Sequence, residues 1–386
     1  PGNTDTDAND PHNTILDNIL IEGVGRVIPS AFATMDGDIW GNVWKHIDIT
    51  DSYHGAFNIC ALNCTFGPVG STWHGTFSNM FQLNHCWNLG QSIMSDGFGC
   101  PYLNVGSPAN PFASGLGNVI DSNRVHDITD ASFGGECIYL DNFTGAVTVT
   151  NNIAYRCSDV AFWVTTGPQT SGAPISSWNN IFAYGRNGMH GHGGPTWYSG
   201  STPAAIWRQI SHYRDLWIFD RTDASSPSGF YTQRACSSLF FSATGSTHYT
   251  DYEFWDWNVW YRTDNGFSTY ADAFHNQTNQ AACANGAGSW TFGTFANWQG
   301  SFNGVTMGED VHGSATTNLS TCCGIGNIGP ANFNPTLTSA PITGFNFGAT
   351  NYTWNNAGRV NPVTAPVIFT VPATMPGASS LPPSAY

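Results

Sequence analysis

One phrase recurs along the chain: a short β-prone run carrying Asn or Asp, a turn, then a second short apolar run. It reads "NTILDNILIEGVG" from Asn13, "GNVWKHIDITDSYHGA" from Gly41, "NMFQLNHCWNLGQSIM" from Asn79 and "GNVIDSNRVHDITDA" from Gly117. It returns as "GAVTVTNNIAYRCSDVAFWV" from Gly145 and "ISSWNNIFAYGRNGM" from Ile175, then more loosely as "RDLWIFDRTDAS" and "EFWDWNVWYRTDNGF". The spacing is about 28 to 40 residues, a period that marks stacked supersecondary units. One unit cannot bury its inward Ile, Val and Leu alone, whereas a stack can, and asparagines at the same turn can ladder their amides. The expectation is an all-β parallel β-helix with long loops inserted on one side. Hairpin turns of the "DNG" type are too few for the competing arrangement, a β-sandwich.

Four segments follow from this pattern. Residues 1–12 form an N-terminal extension, 13–263 the parallel β-helix, 264–360 further C-terminal coils and loops, and 361–386 a Pro-rich tail. The tail is expected to be extended and packed along the stack or on a neighbour. A content of 43 Gly and 21 Pro, with no long apolar-periodic stretch free of them, argues against a helical protein. The net charge of −15 disfavours nucleic acid and polyanionic glycans. Neutral glycans or a protein partner, including further copies of the chain, fit better. No apolar run approaches the length that crosses a bilayer. The chain has ten cysteines without a CxxC pair and a single lysine, Lys45. That usage points to an oxidising, extracellular location, and Pro1 reads as a processed start. Sequons stand at Asn63, Asn142, Asn276, Asn318 and Asn351. They permit glycosylation, yet about six would arise by chance in so Asn-rich a sequence.

The phrases "NTILDNILIEGVGRVIPSAF", "GGECIYLDNFTGAVTVTNNIAYR", "NNIFAYGRN" and "WNVWYRTDNGFSTYADAFH" resemble those of secreted bacterial right-handed parallel β-helix proteins, a group that includes polysaccharide lyases and glycoside hydrolases. "TFANWQ", "GEDVH" and "NPVTAP" are similar to the C-terminal ends of such chains. The likeness runs from about residue 13 and implies a right-handed solenoid. It implies no single activity, because one fold hosts unrelated chemistries.

Glycoside hydrolysis uses two carboxyls, about 5 to 5.5 Å apart for retention or about 6.5 to 9.5 Å for inversion. Asp130, Glu136 and Asp141 are the nearest such cluster. In a strand over Gly134–Leu140, Glu136 shares a face with Ile138 and Leu140 and is costly to bury, while Asp141 falls in the following turn. A uronate lyase needs basic groups around its site, and Lys45 stands without any. His190 and His192 supply two ligands at most, so no metal centre is expected. "DTDAND" could place Asp5, Asp7 and Asn9 on calcium, though it lacks the glycine and closing glutamate of a calcium loop. No other cofactor is expected. Asp310 and His312 read as a turn rather than a catalytic pair. Cys137 and Cys157, 20 residues apart, are placed to bridge neighbouring coils, and adjacent Cys322 and Cys323 to serve different partners. Surplus Trp, Tyr and Phe could stack on sugars, anchor a protein contact or fill the core.

Two functions follow. The first is an extracellular structural protein that self-assembles, into filaments where the contact is head-to-tail, and that carries glycans. The alternative is a secreted polysaccharide-degrading enzyme or a glycan-binding module. A structural role ranks above catalysis; an enzyme of this composition would be a glycoside hydrolase acting on a neutral polysaccharide, and less readily a lyase.

Overall fold

The computed structural model describes residues 13–25, 34–36, 39, 41–60, 78–91, 98–104, 117–129, 135–141, 144–164, 174–185, 188–193, 210–219, 231–235, 253–262, 274–277, 290–293, 295–302, 305–306, 310–316, 318–319, 325–326, 328, 333, 336–337 and 357–360. Regular structure among them is almost entirely strand, with one short helix at Phe295–Gln299. Three parallel sheets hold most of the strands. The first has eight strands, from Ile15–Asp17 to Glu253–Asp256. The second has nine, from Leu20–Glu22 to Ser314–Thr316, and the third seven, from Thr34–Asp36 to Tyr231–Ala235. The chain visits first, second and third sheet in turn and then begins again, so strands pair across whole repeats. Val43–Lys45 lies between Ile15–Asp17 and Met80–Gln82, for example. Beyond Arg262 the described strands are two-stranded antiparallel pairs such as Phe274–Gln277 with Trp290–Gly293, apart from Ser314–Thr316, which returns to the second sheet.

The passage from first to second sheet shows why the sequence repeats. A single residue there adopts a left-handed conformation: Asn18, His46, Leu83, Ser122, Asn151, Asn179, Arg214 and Trp257 all have φ between 52° and 61° or, for Trp257, 63°. Such a φ is uncommon outside glycine, and the residue that follows holds it in place. From Asn84 onward that residue is Asn or Asp, fully buried, at positions 84, 123, 152, 180, 215 and 258. Each carbonyl or carboxylate oxygen accepts the backbone N–H of its counterpart one repeat earlier: Asn84 to Asn123 at 2.9 Å, Asn123 to Asn152 at 2.9 Å, Asn152 to Asn180 at 2.9 Å, Asn180 to Asp215 at 2.8 Å and Asp215 to Asn258 at 2.9 Å. Each amide nitrogen donates back to a first-sheet carbonyl, as from Asn123 to Phe81 and from Asn152 to Ile120, both at 2.8 Å. A shorter ladder of Asn42, Asn79 and Asn118 precedes the first sheet.

Inward rows fill the space between the sheets. The second sheet contributes Ile49, Cys86, Val125, Ala154, Phe182, Trp217 and Trp260, every one 0% exposed. Side-chain bulk falls from Ile49 to Ala154 and then grows through Phe182 to Trp217 and Trp260. Phe162, Phe182, Trp217 and Trp260 stack in succession at 5.6, 4.6 and 5.7 Å, and each such ring contributes about 1.5 to 3 kcal/mol by burial. Cys86 and Cys100, and Cys137 and Cys157, stand at disulfide distance, with Cα separations of 6.4 and 5.7 Å.

The outer face of the second sheet changes character along the stack. Ile153, Ile181, Leu216 and Val259 make its later rows apolar, and Leu319 and Phe333 pack on them. Further back, Gly358 and Arg359 dock on Leu83 and Asp48. Residues 357–360 thus lie on earlier repeats of this face than Leu319 and Phe333 do. Residues 1–12 and 361–386 lie outside the described residues.

Asn152→Ala removes an acceptor of two bonds from Asn123 and a donor to Ile120, Thr150 and Asn180. Buried groups left without partners cost about 1 to 3 kcal/mol each. Denaturant titration should show a loss of about 3 kcal/mol or more.

Candidate functional site

The third sheet presents an outward row next to Asp141. Tyr102, Tyr139 and Trp163 are partners in register on successive strands, with Asn58 before them. Their rings pack apart from the main core, Tyr102 to Tyr139 at 4.9 Å and Tyr139 to Trp163 at 6.5 Å. Asp141 follows the strand Ile138–Leu140 and is 8% exposed. Its Oδ2 accepts the Tyr102 hydroxyl at 2.6 Å, and that hydroxyl accepts from Asn104 Nδ2 at 3.2 Å. The Oδ1 atoms of Asn58 and Asn104, on residues 6% and 4% exposed, have no hydrogen-bond partner among the described residues. Two amide oxygens, a carboxylate and three aromatic rings therefore share one outer face. Oxygens of this kind accept from hydroxyls, and such rings stack on apolar sugar faces.

Glu136 is placed differently. It is 0% exposed and adjoins Cys137 of the Cys137–Cys157 pair in the chain. Asp130 and Asn142 lie outside the described residues, as do Asp5, Asp7, Asn9, Asn63, Asn351, Cys322 and Cys323. Asn276 falls in the strand Phe274–Gln277, and Asn318 is exposed beside buried Leu319. His190 and His192 are in the strand Gly188–Gly193, opposite Phe162 and Val164. Lys45 lies between Asp17 and Gln82 in the register of the first sheet. Among the described residues no group of three or more His, Cys, Asp or Glu is arranged to hold a metal ion, and no helix is long and apolar enough to cross a membrane.

Asp310 and His312 separate in role. His312 is exposed, stacks on Trp257 at 4.4 Å and pairs with Asp256 at 3.0 Å. Asp310 is buried and takes the last rung of the asparagine ladder: its Oδ1 accepts the Asn258 N–H at 2.8 Å and its Oδ2 accepts the Trp260 indole N–H. In register, that rung belongs to Gly313. A Cβ there would stand 2.2 Å from the Asp310 carboxylate, so the glycine makes room for it.

Two ladder rungs are thus acids. Burial pushes both Asp215 and Asp310 up to about 7. At Asp215 the hydrogen bonds from Ser177, at 2.6 Å, and Asn180 counter burial only in part. A protonated Asp215 is a donor as well as an acceptor, which is what an asparagine is at the other rungs.

A second polar cluster, which the repeat pattern did not single out, lies on the outer face of the second sheet. His85 Nε2 and His126 Nε2 are 2.8 Å apart, and His126 Nδ1 is 2.6 Å from Asp127 Oδ2. Arg156 grips Asp127 through Nε and Nη2, both at 2.5 Å. Burial alone would raise Asp127, but the hydrogen bonds from Arg156 and His126 hold it well below the usual carboxylate range. Arg124 donates to the Tyr155 hydroxyl at 2.8 Å, and Tyr155 stacks on His126 at 4.7 Å. Alternation in "NHCWN" and "RVHDI" marks these side chains as outward. Their meeting depends on a register that only the three-dimensional pairing supplies.

No family model, no curated protein and no solved structure matches this chain.

The ladder acids set a pH dependence. The folded chain keeps a proton on Asp215 that the unfolded chain loses between its ordinary 3.8 and about 7. This contribution is complete below about 3.8 and is lost as pH rises to about 7. Asp215→Asn removes the loss while keeping the rung. Paired thermal or denaturant melts should find the variant close to wild type near pH 4 and about 4 kcal/mol more stable near pH 8.

Proposed function

We propose that the chain is an extracellular structural protein, a right-handed parallel β-helix whose stack continues through contacts between copies. Supporting the β-helix are the three parallel sheets visited in strict rotation and the ladder that ties each repeat to the next. The cysteine pairs at disulfide distance support an oxidising location. A single observation carries the assembly: Ile15, on the first strand of the first sheet, is 68% exposed. An edge strand of a parallel sheet with a bare isoleucine is a template for another strand. The far end differs, since Asp310 closes the ladder there with an internal carboxylate. Two unlike ends favour a heterologous contact, which builds a filament unless rotation closes it into a ring.

A second reading rests on the outer row of the third sheet. The Asn58 and Asn104 oxygens beside the Tyr102–Asp141 pair and the Tyr139 and Trp163 rings suit a neutral sugar. On this reading Asp141 binds or polarises a hydroxyl, and the protein recognises or hydrolyses a neutral glycan.

Light scattering and negative-stain microscopy of the native protein should show concentration-dependent filaments or rings. Ile15→Lys should return the particles to monomers without lowering the melting temperature, because edge lysines block strand addition. Monomers at every concentration would remove the assembly proposal. In a panel of neutral polysaccharides, any binding or hydrolysis should fall at least tenfold in Tyr102→Phe and Asp141→Asn; unchanged activity in both would exclude the third-sheet site.

A further inference from the structure

Residues 357–360 dock on the second sheet beside the histidine pair. The Gly358 N–H donates to the Leu83 carbonyl at 2.8 Å. Arg359 donates from Nε to Asp48 Oδ2 at 2.9 Å and from its backbone N–H to Asp48 Oδ1 at 3.3 Å. The fit leaves no space. A Cβ on Gly358 would stand 2.5 Å from Asp48 Oδ1 and 3.3 Å from His85 Cβ, and its φ of +94° is itself a glycine conformation.

The hydrogen bonds fix where the imidazole protons sit. Asp127 can only accept, so His126 carries its proton on Nδ1 and offers a lone pair at Nε2. His85 must then donate from Nε2, which leaves its Nδ1 as a bare lone pair. That atom is 3.8 Å from Asp48 Oδ1, the carboxylate that Arg359 holds. A proton arriving on it would turn an idle acceptor into a cationic donor aimed at the same carboxylate.

We propose that residues 357–360 form a proton-released latch, in which a proton on His85 draws Asp48 away from Arg359 and frees these residues from the second sheet. The groups facing His85 are Asp48, His126, Arg124 and the Trp87 ring at 4.1 Å. Those facing His126 are Asp127, Arg124, Arg156, the Tyr155 ring and His85. With the latch docked, burial, then His126 and Arg124, push His85 down to about 3 from its ordinary 6.5. Burial lowers His126 in the same direction.

The sign follows from linkage. The docked state binds fewer protons than the open one, so docking is complete above about 6.5 and is lost as pH falls toward about 3. A second proton, on His126, would set two Nε2–H groups against each other at 2.8 Å and part the pair. Uptake of one proton makes the opening constant rise about tenfold per pH unit.

Hydrogen exchange of the full chain between pH 7 and 4, corrected for intrinsic rates, reads this at the amides of Gly358, Arg359 and Val360. Wild type should open about tenfold more per unit below pH 6, while the first-sheet strand Val147–Thr150 keeps its protection. His85→Gln should flatten the slope to under about twofold per unit. Gly358→Val, which leaves every titrating group intact, should be open already at pH 7. A wild-type segment whose protection ignores pH overturns the latch, as does a His85→Gln chain that keeps the full slope. Should His85→Gln fail to fold, wild type against Gly358→Val decides: equal protection at pH 7 overturns the proposal.

Discussion

The buried asparagine amide is the interaction on which the rest of this structure depends. A left-handed residue between first and second sheet turns the chain sharply and points one backbone N–H at the next repeat. Without a partner that group would cost about 1 to 3 kcal/mol, and it recurs at every turn. An asparagine oxygen in the following repeat meets it, and the amide nitrogen returns the bond to a carbonyl of the repeat before. Alanine could do neither. The side chain therefore recurs at one position of each repeat from Asn84 to Asn258, whereas the first two repeats carry Ile19 and Ile47 there.

Once the turn is fixed, the strands on either side have a fixed register, and inside is separated from outside. Inward rows become mostly apolar, with Ser177 and His212 as buried polar members of the first sheet, and the growth from Ala154 to Phe182, Trp217 and Trp260 is a packing solution within that frame. Outward rows are released from the ladder and take their character from what covers them. On the second sheet the rows under Leu319 and Phe333 are apolar, whereas Asp48, His85 and Arg124 are polar where Arg359 arrives.

Much of this could be read from the residues. Asn151–Asn152 and Asn179–Asn180 announce a turn and a rung in adjacent letters, and "NHCWN" shows the alternation of a half-covered strand. Cys137 and Cys157 are 20 residues apart, and the structure sets them at disulfide distance. Other features are invisible at that level. Asp215 reads as a surface charge because a carboxylate is normally ionised, and only complete burial makes it stand in for an asparagine. Gly313 reads as a turn residue, yet its lack of a side chain admits Asp310. Glu136 and Asp141 are near in sequence, but pleating puts Tyr139 and Asp141 on the outer row, while Glu136 is buried with the parity of Ile138 and Leu140.

Two sets of titrating groups pull the structure in opposite directions as pH falls. The ladder carboxylates Asp215 and Asp310 gain protons in the fold, so acid strengthens the turn that holds the repeats together. His85 and His126 resist protonation in the fold, so acid weakens the polar cover on the second sheet. The two sets sit on different layers, one between the sheets and one outside them. Acid should therefore loosen the surface while the interior tightens. Separation of this kind lets a peripheral segment detach without unravelling the stack. It follows from the same ladder, because only a turn that carries its own buried hydrogen bonds can remain closed when an outer face is stripped.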